Sequence, residues 1–371
     1  MIVAVRIPSL DGLRAISIFM VLIGHALFSY HGEHQVGWSY LGNGDLGVSI
    51  FFVISGFLIT ALLLREFEKN GDISLRQFYL RRALRILPPF YTFLLAILIV
   101  WHLGWISSDW RSWLRSLFFI RDYMLPWGDW YTGHSWSLSI EEQFYLLWPA
   151  ALVFLGRRRG LALALALIAA SPVLRVISHK FWNHGNLDAF MFHMRMDGLM
   201  MGCSLAIVQR EAWFARAWKR IEHPVVAFCS SVFLCGVSPA LSHRFAGYYR
   251  MPFGYTLDNV AICFLLFYFV CNPLSVGGRV LNWRPIVHIG VLSYSLYLWQ
   301  QLFLGPGIVH PMLGIFGAFA CAEVSWHFVE RPSLKLRNLL AAKCHSPATN
   351  AANSTLPDNP HTMSAIRWDG P

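Results

Sequence analysis

Arg14 and His25 lie inside the first apolar stretch of the chain, LDGLRAISIFMVLIGHALFSY. The stretch is apolar enough to cross a bilayer, yet it carries a permanent cation and an imidazole. Ionisable groups at membrane depth are costly, so they face a bundle interior or an aqueous cavity and mark function. Eleven positions separate the two residues. At about 100° per residue both fall on one helix face, roughly 16 Å apart along it. A neutral imidazole is suited to taking a proton near pH 7. One wall of a membrane cavity is therefore expected to present a cation at one depth and a general base at another.

Other charged residues are expected at the depth of His25. Glu141 and Glu142 sit in the first two turns of HSWSLSIEEQFYLLW, and Arg195 and Asp197 sit in MFHMRMDGL. With His25 they are expected to line one outward-facing polar cavity, where Arg195 and Asp197 would contact substrate. Arg81, Arg82 and Arg85 of LRRALRILPP belong to the inner face, close to Arg14. Plainer readings stand beside these. The three arginines are also what topology control would place there. Ser139 with Glu142 forms a helix-capping box by spacing. Arg195 and Asp197 would equally serve as a structural pair between helices. His31 and His34 in YHGEHQ read as loop residues, and no metal site is expected.

The elements that must hold these groups are membrane helices. Of the 371 residues 56% are hydrophobic and 13% charged, with 16 Trp and 28 Phe, against about 25% charged in soluble domains. Apolar runs fall at 12–30, 44–64, 86–106, 136–156, 160–178, 189–208, 224–242, 254–272, 286–304 and 308–329. Each approaches the ~20 residues that a helix needs to cross the hydrocarbon core. The fold expected is an all-α integral membrane protein of about ten transmembrane helices. On that drawing 21 of the 30 Lys and Arg residues fall on one side and 7 on the other, with Arg14 and Arg195 inside spans. The excess marks the cytoplasmic side, so both termini are expected there. The net charge of +10 is explained by this bias, and no nucleic-acid partner is expected. The segment WRSWLRSLFFI is expected to form an interfacial helix. The seven cysteines include no CxxC pair, which disfavours a zinc site or disulfide framework. No cleavable signal peptide is expected. Residues 1–337 form the membrane domain on this reading. Residues 338–371 form a cytoplasmic tail, polar and disordered from 344 onward.

Taken together, these segments resemble the membrane-bound acyltransferase 3 family, bacterial O-acyltransferases of surface glycans. Arg14 and His25 match its Arg and His with ten residues between them. GVSIFFVISGFLIT, LRRALRILPPFY, HSWSLSIEEQFYLLWP, RMDGLMMG, IGVLSYSLYLWQQ and SWHFVERP match further blocks in order over residues 8–337. Arg82 and Arg85 take the positions of the family's RxxR loop. Gln300 departs from the pattern, standing where the family often has His; an amide hydrogen-bonds but carries no proton as imidazole does. The resemblance implies a stand-alone enzyme without a fused hydrolase-like domain, located in the bacterial inner (plasma) membrane.

It also implies acyl transfer from cytoplasmic acyl-CoA, most often acetyl-CoA, to a sugar hydroxyl, with no permanently bound cofactor. Guanidinium groups pair bidentately with phosphate, so Arg82 and Arg85 are expected to hold the donor and Arg14 to guide its arm inward. His25 is the expected general base, with Glu142 or Glu141 orienting it and stabilising its cation. Direct transfer is the first expectation, with an acyl-His intermediate as the alternative. The acceptor is a carbohydrate or lipid-linked glycan; lipopolysaccharide O-antigen, exopolysaccharide, peptidoglycan, a lipo-oligosaccharide and a macrolide all fit. The rival class is a polytopic transporter or flippase, in which the same buried charges would line a substrate path.

Overall fold

The structure, a computed structural model, describes residues 9–31, 43–123, 129–181, 190–305 and 310–343. Arg6, His34 and the polar segment 344–371 lie outside the described residues, and so do the expectations placed on them. The helices are α1 Leu10–His31, α2 Gly44–Asn70, α3 Leu75–His102, α4 Trp110–Leu117, α5 Ser135–Phe181, α6 Phe192–Val208, α7 Ala212–Ile221 and α8 Pro224–Val232. They continue with α9 Ser238–Phe245, α10 Gly247–Tyr249, α11 Tyr255–Cys271, α12 Val276–Leu281, α13 Arg284–Phe303, α14 Pro311–Ser325 and α15 Arg331–Lys343. Single π turns join α8 to α9, α10 to α11 and α14 to α15. No strand occurs among the described residues. The chain is an all-α, multi-pass membrane protein.

Seven helices among the described residues are long and apolar enough to cross a membrane: Leu10–Ser29, Gly44–Asn70, Leu75–His102, Ser135–Phe181, Pro224–Phe245, Gly247–Cys271 and Pro311–Leu340. The fourth of these, α5, has 47 residues and bends at Gly156, where φ is 77°. Glycine alone takes that conformation without steric cost. The bend separates the expected fourth and fifth spans, and the Arg157–Arg159 connection is helical instead of a loop. The expected sixth and ninth spans are also helical, as α6 of 17 residues and the Ser-, Tyr- and Gln-containing α13 of 20.

Side-chain pairings fix the helix directions. Ser55 with Glu141 and Thr60 with Trp148 make α2 parallel to the first leg of α5. Ser49 with Arg195 and Gly56 with Cys203 make α2 parallel to α6. Arg175 with Asp197 and Arg157 with Glu211 set the second leg of α5 against α6. Tyr294 with Ile86 and Trp299 with Phe93 align α13 with α3. A Cβ at Gly290 would collide with the Asp11 carbonyl, so α1 and α13 meet backbone to backbone. A Cβ at Gly56 would likewise strike the Leu199 carbonyl between α2 and α6. Such small-residue contacts let membrane helices pack closely.

Three expected boundaries moved. The third span was drawn from residue 86, but Ser74 accepts from the Gln77 amide at 3.4 Å and starts α3 at Leu75. The Arg82–Arg85 segment is therefore helix, not loop. Residues three apart share a helix face, so Arg82 and Arg85 point together, while Arg81 turns to Glu66 at 2.7 Å. Residues 338–343, expected to open the tail, continue α15; Leu, Ala and Lys there are good helix formers. WRSWLRSL folds as α4, capped by Asp109, with Ser112 and Ser116 buried and Trp110 and Leu114 exposed.

Two ion clusters tie neighbouring ends of the helices together. Arg175 donates to Asp197 through both terminal nitrogens at 3.0 Å, with Thr256 donating to the same carboxylate at 2.8 Å. Asp45 at the start of α2 receives Arg195 at 2.9 Å and Arg250 at 2.6 Å, and Arg250 reaches on to Asp258 at 2.5 Å. Tyr255 lies between the two guanidinium groups, 4.1 Å from Arg195 and 4.0 Å from Arg250. Removing one partner of a buried pair leaves an uncompensated charge, which costs about 3–5 kcal/mol. Arg175→Ala is therefore expected to lower stability by about that amount, read as a reduced midpoint of thermal unfolding in detergent. An unchanged midpoint would show that the pair is dispensable.

Candidate active site

A cavity of about 530 Å³ opens inside the bundle. α1 contributes Asp11 and Arg14, α3 contributes Arg82 and Arg85, and the first leg of α5 contributes Ser137, Glu141, Glu142 and Tyr145. Tyr294 and Tyr297 of α13 and Glu330 close the wall, and α2 lines it from Val48 to Leu62. The fourteen steps from Val48 to Leu62 correspond to roughly 21 Å of helix, so the cavity is long for its volume and runs along the helix axes. Arg14, Arg82 and Arg85 occupy one end. Ser137, Tyr297, Phe51 and Phe52 occupy the other.

The three arginines are half-buried, and none lies within ion-pair distance of a carboxylate among the described residues. The carboxylates nearby are engaged otherwise. Glu141 accepts from Ser55 at 2.8 Å and from Tyr145 at 3.3 Å, and Glu330 accepts from Ser295. Arg82 lies over the Tyr145 ring, 4.7 Å from its centre. An Arg cluster with free hydrogen-bonding edges is suited to phosphate.

His25 does not line this cavity. It lies further along α1, where Nδ1 meets Gln300 Oε1 at 2.7 Å and the ring stands edge-on to Trp130 with centroids 5.4 Å apart. An amide oxygen only accepts. The contact therefore places the proton on Nδ1 and leaves Nε2 as the basic nitrogen. Neither expected carboxylate reaches the imidazole: Glu141 and Glu142 both line the arginine cavity, and Gln300 holds His25 instead. The physical reason is depth. Glu141 is level with Ser55 on α2, at the Asp11–Arg14 end of α1, not level with His25.

Arg195 and Asp197 also depart from expectation. They are not among the cavity-lining residues, nor are they paired with each other. Each is consumed by the ion clusters that join α2, α5, α6 and α11. The expected single outer cavity of five polar residues is thus three separate places: the arginine cavity, the His25 site and the ion clusters.

A polar layer separates the cavity from His25. The Tyr297 hydroxyl donates to the His134 carbonyl at 3.0 Å and shares a 2.5 Å hydrogen bond with the Ser137 hydroxyl. The His134 imidazole packs edge-on against Tyr297, and its backbone N–H donates to Gln301 Oε1 at 2.9 Å. Burial pushes the His134 imidazole down to about 3, the Gln301 hydrogen bond opposes this, and His25 and Arg121 add to it. His134, Tyr297, Gln301 and Glu330 were not singled out from the sequence. Their signal was a polar residue inside an otherwise apolar block, and all four stand in the HSWSL, SLYLWQQ and HFVERP segments.

Helices and cavity define a multi-pass membrane protein with a cation-lined chamber in its bundle. The chain belongs to the acyltransferase 3 family, whose model, described as an acyltransferase domain, matches residues 7–322. It is 30% identical over 369 residues to the candidate peptidoglycan O-acetyltransferase YrhL of Bacillus subtilis, covering 88% of this chain and 54% of that protein. It is 29% identical to the peptidoglycan O-acetyltransferase OatA of Listeria monocytogenes (89% and 56% covered) and 28% identical to the O-acetyltransferase OatA of Staphylococcus aureus (89% and 57% covered). The chain thus spans little more than half the length of these relatives. No solved structure matches it.

If Nε2 of His25 is the base, His25→Ala is expected to cost ~10²–10⁴ in acyl-transfer rate. Gln300→Ala, which leaves its partner unpaired at about 1–3 kcal/mol, is expected to cost less, and Gln300→His to be tolerated. Acylation per amount of membrane-inserted protein measures all three. An inactive Gln300→Ala with intact fold would mean that α13 makes an essential substrate contact.

Proposed function

We propose that this protein takes an acetyl group from acyl-CoA on its cytoplasmic side and places it on a glycan hydroxyl at the opposite face. The observation that carries the reading is the long cavity, with Arg14, Arg82 and Arg85 lacking carboxylate partners among the described residues at one end and His25 beyond the other. CoA is a polyanion on a thin arm. Its phosphates suit the three guanidinium groups, and its arm suits a chamber that runs along the helices. Ten crossings with both ends cytoplasmic fit the charge bias and the alternating helix directions, and they put the arginine end on the donor side.

In the reaction His25 Nε2 takes the proton of the acceptor hydroxyl as its oxygen attacks the thioester carbonyl. The C–O bond forms, the C–S bond breaks and CoA leaves as the thiolate. Gln300 holds the ring in the productive tautomer. Glu141 acts at one remove, fixing Tyr145 beneath Arg82. For the thioester to meet His25, the Tyr297–Ser137–His134 layer must part. The relatives' names make a peptidoglycan-type glycan the first acceptor to try, with O-antigen and exopolysaccharide after it.

Arg82→Ala combined with Arg85→Ala tests the donor end in proteoliposomes given labelled acetyl-CoA. Hydrogen bonds to charged groups contribute about 1.5–3 kcal/mol each, so the donor KM is expected to rise about tenfold or more at unchanged protein content. An unchanged donor KM would reduce the pair to a topology signal. Intact wild-type protein that consumes no thioester would favour a transporter.

A further inference from the structure

The line of cations does not stop at the chamber wall. Glu330, just before α15, lines the chamber and lies in the field of Arg85 and Arg14. Leu334, one turn on, lines it too. Arg337 is three residues further along α15, so it shares the face of Leu334. It is half-buried, whereas Lys335 and Leu336 beside it are exposed. Arg337 is not itself part of the wall; it lies in the field of Arg85, Arg82 and Arg81. The seven steps from Glu330 to Arg337 correspond to roughly 10 Å of helix. α15 thus leads from the deep arginines to the outer ones, and Arg337 stands just beyond the arginine end of the chamber.

The outer cations differ in what holds them. Arg81 is paired with Glu66 at 2.7 Å. Arg337 donates through Nε and Nη2 to the side-chain oxygen of Asn338, at 3.2 and 3.1 Å. That oxygen is neutral, and no carboxylate lies within ion-pair distance of Arg337 among the described residues. Like charges gathered at close range repel, and a multiply charged anion would settle several of them at once. α15 lies beyond residues 7–322, the stretch that the acyltransferase model matches, so the family match by itself says nothing of Arg337.

CoA carries its phosphates in two places. The pyrophosphate joins the pantetheine arm to the nucleotide, and a further phosphate sits on the ribose 3′ oxygen at the far end. With the arm in the chamber, the pyrophosphate falls to Arg82 and Arg85. The ribose phosphate then lies farther out, where Arg337 stands. We propose that Arg337 binds the ribose 3′-phosphate of the CoA donor, so that the enzyme discriminates against thioesters of dephospho-CoA. This rests on the reading of the arginine end as the donor site, and the test separates the two. The phosphate of a lipid headgroup offers the same chemistry, so the lipid is varied as well.

Wild type, Arg337→Ala and Lys335→Ala are compared in proteoliposomes with acetyl-CoA and with 3′-dephospho-acetyl-CoA, each labelled in the acetyl group. The acceptor is the host's membrane-associated glycan, and the vesicles are phosphatidylcholine with or without phosphatidylglycerol. In wild type the dephospho donor is expected to lower kcat/KM about tenfold or more. In Arg337→Ala the value with acetyl-CoA is expected to fall about as far, and loss of the donor's phosphate to cost little more. Lys335→Ala removes the same charge from the exposed side of α15 and is expected to behave as wild type. The pattern is expected in both lipids. Equal use of the two donors by wild type, which needs no variant to fold, would overturn the assignment. So would an Arg337→Ala that keeps the full penalty for the dephospho donor, or one impaired only when phosphatidylglycerol is present. Wild type that consumes neither thioester would refute the donor site itself.

Discussion

Asp45 receives Arg195 at 2.9 Å and Arg250 at 2.6 Å, and much of the bundle is arranged around that pairing. It ties the first turn of α2 to α6 and to the segment leading into α11. Inside hydrocarbon no water is available to compensate a charge, so each ionised side chain needs a partner from the protein or an aqueous cavity. Arg175 and Asp197 obey the same rule a few residues away. With these groups satisfied, α2 is held in register against α6 and the first leg of α5. That register brings Ser55 and Glu141 level with Arg14 and shapes the wall of the chamber.

Against this background Arg14, Arg82 and Arg85 stand out. They face a cavity and lack carboxylate partners among the described residues. Arg195, Arg175 and Arg250 each meet a carboxylate. The difference separates structural charge from charge available to a ligand, and it could not be drawn from residue type. At the other end of α1 the logic is neutral instead of ionic. Two amide oxygens each meet an imidazole, and a Tyr–Ser hydrogen bond closes the chamber beneath them.

Much of this was legible in the sequence because membrane helices are governed by local rules. Ten apolar segments were recognisable by length, and the described residues of each are largely helical. The spacing of Arg14 and His25 predicted a shared helix face; both lie on α1, and only Arg14 lines the cavity. Arg82 and Arg85 were legible as a cation pair, but not as part of the third helix, which the Ser74 cap starts at Leu75. The partners of the polar residues were not legible, since they come from distant parts of the chain. Asp197 finds Arg175 and Thr256, Arg195 finds Asp45 and Ser49, and Glu141 finds Ser55. Gln300, noted for lacking a titratable proton, proves to be the residue that positions His25. His134 passed unnoticed because a histidine ahead of an apolar run looks like an ordinary interfacial residue.

The account stands on a division of labour across the membrane: donor phosphates at the arginine end, the acceptor at the His25 end. Sealed proteoliposomes of defined orientation, with acetyl-CoA supplied on only one side and glycan on only the other, test this directly. Transfer is expected when the donor meets the Arg82–Arg85 face and the glycan meets the opposite face, and it should be absent in the reverse arrangement. Equal transfer in both arrangements, or transfer only in the reverse, would contradict the account.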